Sequence, residues 1–309
     1  SGEPTQGLPQ LTDLNLKDIT TNWEKEIPYL ASPYLSSSPE NLNDGIPVGQ
    51  LNQAEIDSAK ITAFAKEVFN EPANKRKDKS DSLLISYKGK LIFESYGRRG
   101  RVNLPHSQSS ITTVYTALAL GRVIELGYLT INDLKSPCVK YLTQLDLKKL
   151  PKGVESITIE EALTNHSGIR FIKPKKAKVR DKVYLGQKRI QAYLECIQPI
   201  SPNSKKFTYQ GFDAALIMQV IEAVVPGSAE HFIQTEVLGK LGITKYVWEK
   251  EKSDLPRSSG ATWFRSRDML KIGMVFASHG KWNGEQLFSQ EFMQKATSPL
   301  VKAYGPYRF

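Results

Sequence analysis

A thirteen-residue segment that is apolar on nearly every side, FDAALIMQVIEAV at 212–224, constrains the fold more than any other feature. A helix without a polar face must be buried, so other elements have to surround it. The chain has 309 residues, enough for one large domain or two small ones, and 40% of them are hydrophobic, which excludes a globally disordered protein. No apolar run reaches the roughly 18 residues of a transmembrane helix, so the sequence predicts no membrane span.

Local patterns predict where the chain is helical and where it is extended. Residues 1–50 are rich in Ser, Pro and Asn without periodicity, and we expect an extended arm. The segments SLLISY and KLIFESY, joined at Lys88-Gly89, predict an antiparallel hairpin over 82–96. Helical periodicity and capping signals, including a Thr158–Glu161 capping box, predict helices near 53–69, 110–126, 158–167, 212–224, 228–239 and 266–280.

The net charge of +10 is concentrated in one segment, RFIKPKKAKVRDKVYLGQKR at 170–189, which alone carries +8. Its central basic residues are Lys173, Lys175, Lys176, Lys178 and Arg180. A charge run of this kind is typical of a solvated, mobile loop, because so much charge cannot be buried without partners. An anion-binding lid beside a cleft is the second interpretation. Nucleic-acid binding is a weaker third one, because no recognised motif accompanies the charge, and we expect no nucleic-acid partner.

Two cysteines, Cys138 and Cys196, are too few for a disulfide framework, and no Cys/His cluster suggests zinc. The sequence therefore predicts neither a metal site nor an organic cofactor.

Ser110 begins the helix predicted over 110–126. A hydroxyl at this position faces unpaired backbone N–H groups and the positive end of the helix dipole, which favours a developing alkoxide. The alternative is an ordinary N-cap serine, a role that serine often has.

The run HSQSSITTVYTALALGRVIELGYLTINDL resembles the nucleophile helix of the β-lactamase-related serine hydrolases, in which glycines follow the serine by 11 and 17 residues, here Gly121 and Gly127. The segments ITIEEALTNHSGI, FTYQGFDAALIMQVIEAV and FRSRDMLKIGMVFASHGKWNGEQLFSQEF resemble later blocks of the same family. The resemblance covers about residues 44–309. It assigns Ser110 as nucleophile and Tyr209 as the tyrosine of the Y-x-N motif.

Three departures from the family pattern bear on the chemistry. Thr113 stands where the family has the lysine of S-x-x-K, and Gly211 stands at the asparagine position of Y-x-N. The third motif, K-T-G or H-x-G, has no match after Tyr209. His166-Ser-Gly168 has suitable letters but precedes the tyrosine, and Lys271 lies in a helical pattern that we interpret as helix surface.

The resemblance implies an α/β (α+β), β-lactamase-like fold: an antiparallel sheet flanked by helices, plus a helical subdomain. The arm would span 1–50, the sheet-bearing part 51–105 and 250–309, and the helical part 106–249, with Ser110 and Tyr209. Because the family completes its sheet with C-terminal strands, we expect the sheet to be incomplete after Phe309, and a second chain or a further C-terminal segment to complete it. Family members are often exported, which implies a periplasmic or secreted protein.

Two functions remain open from the sequence. The first is a serine hydrolase that acts on a small ester, amide or peptide-like ligand through acyl-Ser110, with Tyr209 assisting proton transfer and activity weakened by Thr113. The second is an inactive relative that keeps the cleft to bind a ligand or a protein partner. Loss of an acid–base group typically costs about 10²–10⁴ in rate, so slow turnover is compatible with the first.

Overall fold

The computed structural model describes residues 7–70, 80–301 and 303. It divides into two compact units. The first comprises Ser1–Ser107, Leu241–Val247 and Trp263–Ala277, and the second Gln108–Lys240, Trp248–Thr262 and Ser278–Phe309. The division predicted from the sequence, into an arm, a sheet-bearing part and a helical part, stays a prediction.

The helices of the described residues are α1 (Thr21–Glu26), α2 (Ser58–Asn70), α3 (Thr112–Glu125), α4 (Ile159–Leu163), α5 (Lys173–Arg180), α6 (Gln187–Leu194), α7 (Gly211–Val224), α8 (Ala229–Phe232), α9 (Ser266–Ala277) and α10 (Gln290–Ala296). The strands are β1 (Tyr34–Ser36), β2 (Ser82–Tyr87), β3 (Lys90–Tyr96), β4 (His106–Ser107), β5 (Val247–Trp248), β6 (Thr262–Phe264), β7 (Lys281–Trp282) and β8 (Glu285–Gln286). A π-helical turn, Ile233–Leu238, follows α8 directly.

The first unit contains an antiparallel sheet in the order β1-β3-β2. The predicted hairpin is confirmed, and both turn residues, Lys88 and Gly89, have positive φ angles, as a two-residue turn between twisted strands requires. Strand β1 comes from the N-terminal segment and pairs with β3, with Tyr34 opposite Tyr96. The described part of the expected arm, residues 7–50, thus contains the short helix α1 and contributes strand β1 to the sheet, and residues 1–6 lie outside the described residues. The expected completion of the sheet after Phe309 also lies outside the described residues and stays a prediction.

The same unit places charged side chains in its interior. Lys271 of α9 has no exposed surface, and its Nζ lies 3.2 Å from Asp268 Oδ1 and donates to Gly242 O. The interpretation of Lys271 as helix surface is therefore wrong. The helical pattern is confirmed, but the long lysine side chain finds a carboxylate and a carbonyl inside, which offsets the cost of burying its charge.

The second unit is mainly helical, and its apolar helix α7 is buried as predicted. Helix α3 packs against α7 and α10. A Cβ atom at Gly121 of α3 would lie 3.0 Å from the Phe292 ring of α10, so glycine permits this close approach. Gly127 has φ = 80° and ends α3, as expected for a left-handed C-terminal cap.

The basic segment is not a loop throughout, which corrects the sequence prediction. Residues Lys173–Arg180 form α5, with Pro174 in the first turn, where its missing N–H is not needed. Lysine, arginine and alanine are good helix formers, which favours a helix here even without an apolar face. Helix α5 has no buried residue, in agreement with the expected exposure. Its mobility stays a prediction.

No single helix in the described part of the chain is long and apolar enough to cross a membrane, although α7 and Ala229–Leu241, bent by 89°, meet those criteria as a pair.

Candidate active site

A cavity of about 390 Å³ in the second unit brings together the predicted site residues Ser110, Thr113, Tyr209 and Gly211. Ser259 also lines it. The remaining wall is largely apolar and includes Val114, Ala117, Leu134, Ala162, Leu163, Ala214, Ile217 and Phe292. The basic residues 173–180 do not line this cavity.

Ser110 lies in a 3-10 turn, Ser109–Ile111, that leads into α3. Its side chain is exposed and does not cap α3, whose N-cap position is Ile111. The preceding residue, Ser109, has φ = 47°, a left-handed conformation that costs a non-glycine residue about 1–3 kcal/mol. Strain of this kind concentrates at functional sites. It therefore favours the nucleophile interpretation over the capping one.

Thr113 is turned back towards the backbone of the same turn. Its Oγ1 donates a hydrogen bond of 2.8 Å to the carbonyl oxygen of Ser110. The hydroxyl thus supports the geometry of the turn, but it carries no charge with which to take a proton from Ser110.

Residues 258–262 hold the start of α3 in place. Thr262 Oγ1 lies 2.8 Å from Thr112 Oγ1, and Thr116 Oγ1 donates to Ser258 O at 2.9 Å. Ala261 has φ = 56°, a second strained residue beside the cavity. The segment therefore forms a fixed wall, and it presents Ser259 to the cavity.

Gly211 begins α7 and lies directly against Ser259. A Cβ atom at position 211 would lie 3.1 Å from Ser259 Cβ and closer still to Ser259 Oγ, well inside contact distance. The space that an asparagine at position 211 would need is thus occupied by the Ser259 side chain. A side chain at position 211 would have to displace Ser259, which favours glycine at this position.

Tyr209 is 56% exposed, so it is not a core tyrosine. Its segment is held by Asn165, whose backbone oxygen accepts from Thr208 N at 2.9 Å and whose Oδ1 accepts from Gln210 N at 3.1 Å. Asn165 also lines the cavity and has φ = 60°, which asparagine tolerates better than most residues. The phenol of Tyr209 is therefore presented to solvent on a backbone fixed at both sides.

The lysines near Tyr209 in sequence do not supply an obvious partner for it. Lys205 Nζ contacts both carboxylate oxygens of Glu161, at 2.8 and 3.0 Å, and also donates to Ser156 O. Lys206 is exposed. At the wall of the cavity, Lys295 Nζ pairs with Glu160 Oε2 at 3.2 Å.

The sequence His166-Ser-Gly168 has a structural role. Ser167 Oγ donates to Asp213 Oδ1 at 2.8 Å, and both residues are buried. Burial raises the pKa of Asp213 to about 7, although the hydrogen bond from Ser167 acts in the opposite direction. Asp213 Oδ2 has no hydrogen-bond partner among the described residues. A carboxyl group with an elevated pKa thus lies in the first turn of α7, two residues after Gly211.

The two cysteines are buried and unpaired. Burial raises the pKa of the Cys138 thiol to about 12, so this thiol is not a nucleophile near neutral pH. Within residues 7–70, 80–301 and 303, no three His, Cys, Asp or Glu side chains come together as a metal-ion site.

The sequence prediction missed Asn165 and Ser259. Asn165 carried a weak signal, because asparagine before a turn often adopts a positive φ. Ser259 carried no signal beyond the Ser-Ser-Gly turn at 258–260, since its contact with Gly211 depends on residues 48 positions apart in the chain.

Comparison with known proteins agrees with this architecture. The β-lactamase family profile matches residues 66–301. Solved structures with the same fold include a class C β-lactamase, with 16% identity and a TM-score of 0.60 over 81% of this chain and 73% of that one. They also include an octameric penicillin-binding protein homologue from Pyrococcus abyssi, with 20% identity and a TM-score of 0.57 over 82% of this chain and 62% of that one.

A penicillin-binding protein from Bacillus halodurans also has this fold, with 16% identity and a TM-score of 0.54 over 74% of this chain and 77% of that one. A comparison with curated protein sequences gives no match. The β-lactamase-like fold expected from the resemblance is confirmed.

Proposed function

The chain belongs to the β-lactamase family, and from that premise we propose that it is a serine acyl hydrolase acting on a small ester, amide or peptide-like substrate. The observation that carries the proposal is that Ser110 and Tyr209 line the same cavity. Ser110 also directly follows Ser109, whose backbone is strained. A largely apolar cavity with a few convergent polar groups is the usual form of a small-molecule site.

In the proposed reaction, Ser110 Oγ attacks the carbonyl carbon of the substrate and forms the acyl–enzyme ester. The bond from that carbon to the leaving oxygen or nitrogen breaks, and the serine proton passes to the leaving group with the help of the Tyr209 hydroxyl. Water then cleaves the ester and returns a proton to Ser110. Neutral Thr113 accepts no proton, so we expect turnover to be slow.

A second candidate function is ligand binding without turnover. Two observations favour it: Thr113 Oγ1 is committed to the carbonyl oxygen of Ser110, and Lys205 is committed to Glu161. The same cavity would then hold an ester, an amide or a peptide segment of a partner protein without cleaving it.

Initial rates with p-nitrophenyl butyrate test the choice between the two. We expect slow hydrolysis by the parent, loss of hydrolysis in Ser110→Ala, and a reduction of about 10²-fold or more in Tyr209→Phe. Ser298→Ala is the matched control, because Ser298 lines the same cavity but donates its hydroxyl to Gln294 O. Equal rates for the parent and Ser110→Ala would refute the hydrolase. Saturable binding of the ester to Ser110→Ala, with no turnover by the parent, would support the second candidate.

We also propose that the protein is exported to the periplasm or secreted, as the family resemblance implies. Immunodetection in fractionated cells of the source organism tests this, and a purely cytoplasmic signal would contradict it.

A further inference from the structure

The basic segment keeps its positive charge in the folded protein. Helix α5 carries five basic side chains without a buried residue, and Asp181 is the one acid of residues 170–189. Asp181 lies between two cations, 3.7 Å from Arg180 Nε and 3.9 Å from Lys252 Nζ. Its negative charge is therefore offset locally, and the surface remains strongly positive.

The same segment displays two apolar side chains to solvent. Val183 is 69% exposed and Leu185 is 62% exposed, more than any other large hydrophobic side chain in the described part of the chain. Two aliphatic side chains this exposed, two positions apart in one short turn, leave apolar surface in water directly after the basic helix.

Backbone hydrogen bonds hold the segment at both ends. Before α5, Ile172 N donates to Cys196 O, and after the turn, Gly186 N donates to Ser253 O, both at 2.8 Å. Residues 173–185 thus form a supported projection in which a basic helix is followed directly by an apolar turn. We call residues 173–185 the basic projection.

We propose that the basic projection docks the protein on the surface of an anionic lipid bilayer. Lysine and arginine side chains are attracted to acidic headgroups, and Val183 and Leu185 would enter the boundary between headgroups and acyl chains. This combination of many cations with protruding aliphatic side chains is the chemistry of peripheral membrane attachment. The proposal does not depend on the function of the cavity.

A nucleic-acid partner fits the same surface less well. Binding of single strands relies on aromatic side chains that can stack on bases. Phe171 packs edge-on against Phe212 and Tyr193, with ring centroids 5.2 and 6.0 Å away, and Lys176 Nζ lies 4.1 Å from its ring centroid. The Phe171 ring is therefore already occupied and Tyr184 is half-buried, whereas the two most exposed large side chains of the basic projection, Val183 and Leu185, are aliphatic.

Vesicle co-sedimentation of the full chain tests the proposal. We expect binding to phosphatidylcholine vesicles that contain phosphatidylglycerol, little binding to phosphatidylcholine alone, and weakening by added salt. The triple variant Lys175→Gln, Lys176→Gln and Lys178→Gln should bind about 100-fold more weakly, because each lysine near an anionic surface adds a similar amount to the binding free energy. Val183→Ser with Leu185→Ser should weaken it by about tenfold or more.

The turn Leu147–Lys149 provides a matched control in the same unit, since Leu147 is 48% exposed and two lysines follow it. Leu147→Ser with Lys148→Gln and Lys149→Gln should leave vesicle binding unchanged. Circular dichroism melting checks that each variant is folded. We expect all of them to fold, because every residue changed in the three sets of substitutions is exposed or half-buried.

Three results would overturn the proposal. One is equal binding of the parent to neutral and anionic vesicles, and another is an equal loss in the control set. The third combines two observations: the lysines are also needed for binding to DNA or to an acidic protein, and Val183→Ser with Leu185→Ser leaves vesicle binding unchanged. The surface would then be a general polyanion site.

Discussion

Replacing Gly211 by alanine tests the close contact between α7 and the wall formed by residues 258–262. Gly211 has no positive φ, so its backbone accepts alanine, and the substitution alone would stabilise a helix start by about 0.4–1 kcal/mol. The new methyl group would lie 3.1 Å from Ser259 Cβ and closer to Ser259 Oγ. Rotation of Ser259 moves Oγ away but leaves the Cβ contact, and overpacking of this kind costs about 1–3 kcal/mol. We therefore expect a net loss of about 1–2 kcal/mol.

A series at position 259 separates the two contacts. In a Ser259→Ala background, Gly211→Ala should lose less stability, because only the Cβ contact remains. In a Ser259→Gly background, the same substitution should become stabilising. The coupling energy between positions 211 and 259 should therefore be about 1–3 kcal/mol.

Urea denaturation measures these differences as changes in the free energy of unfolding. Gly273→Ala is the control, because Gly273 lies inside α9 and the methyl group of an alanine there would have no neighbouring atom within 4 Å. We expect this control to stabilise by up to about 1 kcal/mol. If Gly211→Ala stabilises as much as Gly273→Ala and shows no coupling to position 259, the account of this wall is wrong.

Three further predictions follow from single residues. Thr113→Lys should raise ester turnover by about tenfold or more, measured with p-nitrophenyl butyrate, because a lysine can assist removal of the Ser110 proton; no change would mean that Thr113 does not limit the rate. Asp213 has a higher pKa in the folded protein than in the unfolded chain, so the folded state binds the proton more tightly. The free energy of unfolding should therefore fall as the pH rises from about 4 to 7, by at most about 4 kcal/mol. Asp213→Asn should flatten that dependence in urea denaturation at several pH values, and an unchanged slope would contradict it. Lys271→Met should destabilise by about 2 kcal/mol, because buried Asp268 Oδ1 loses its cation while Oδ2 keeps Arg265; a loss below about 1 kcal/mol in the same assay would show that the Lys271–Asp268 pair is not important.

The elements with strong local patterns could be predicted from the sequence. Helix α7 has apolar residues on all sides, and the hairpin has Gly89 at a turn position with a positive φ between two segments rich in apolar residues. Helix α4 begins with a capping box whose hydrogen bonds, Glu161 N to Thr158 Oγ1 and Thr158 N to Glu161 Oε2, are present. In each case the physical cause lies within a few neighbouring residues.

The features that depend on distant residues could not be predicted. Strand β1 has only three residues, and its pairing with β3 involves partners about 60 positions away. The prediction that Lys271 lies on the helix surface failed because its buried partners, the Asp268 carboxylate and the Gly242 carbonyl, come together only in the folded chain. Helix α5 escapes prediction for a different reason, since helix propensity alone, without an apolar face, gives a weak periodic signal.

Covalent labelling of Ser110 tests the central claim most directly. The protein is incubated with a fluorophosphonate and analysed by intact mass and peptide mapping, alongside Ser110→Ala and Ser298→Ala. The account predicts a single adduct on Ser110 in the parent and in Ser298→Ala, and no adduct in Ser110→Ala. An adduct on another residue, or one that persists in Ser110→Ala, would contradict the assignment of Ser110 as the nucleophile of this cavity.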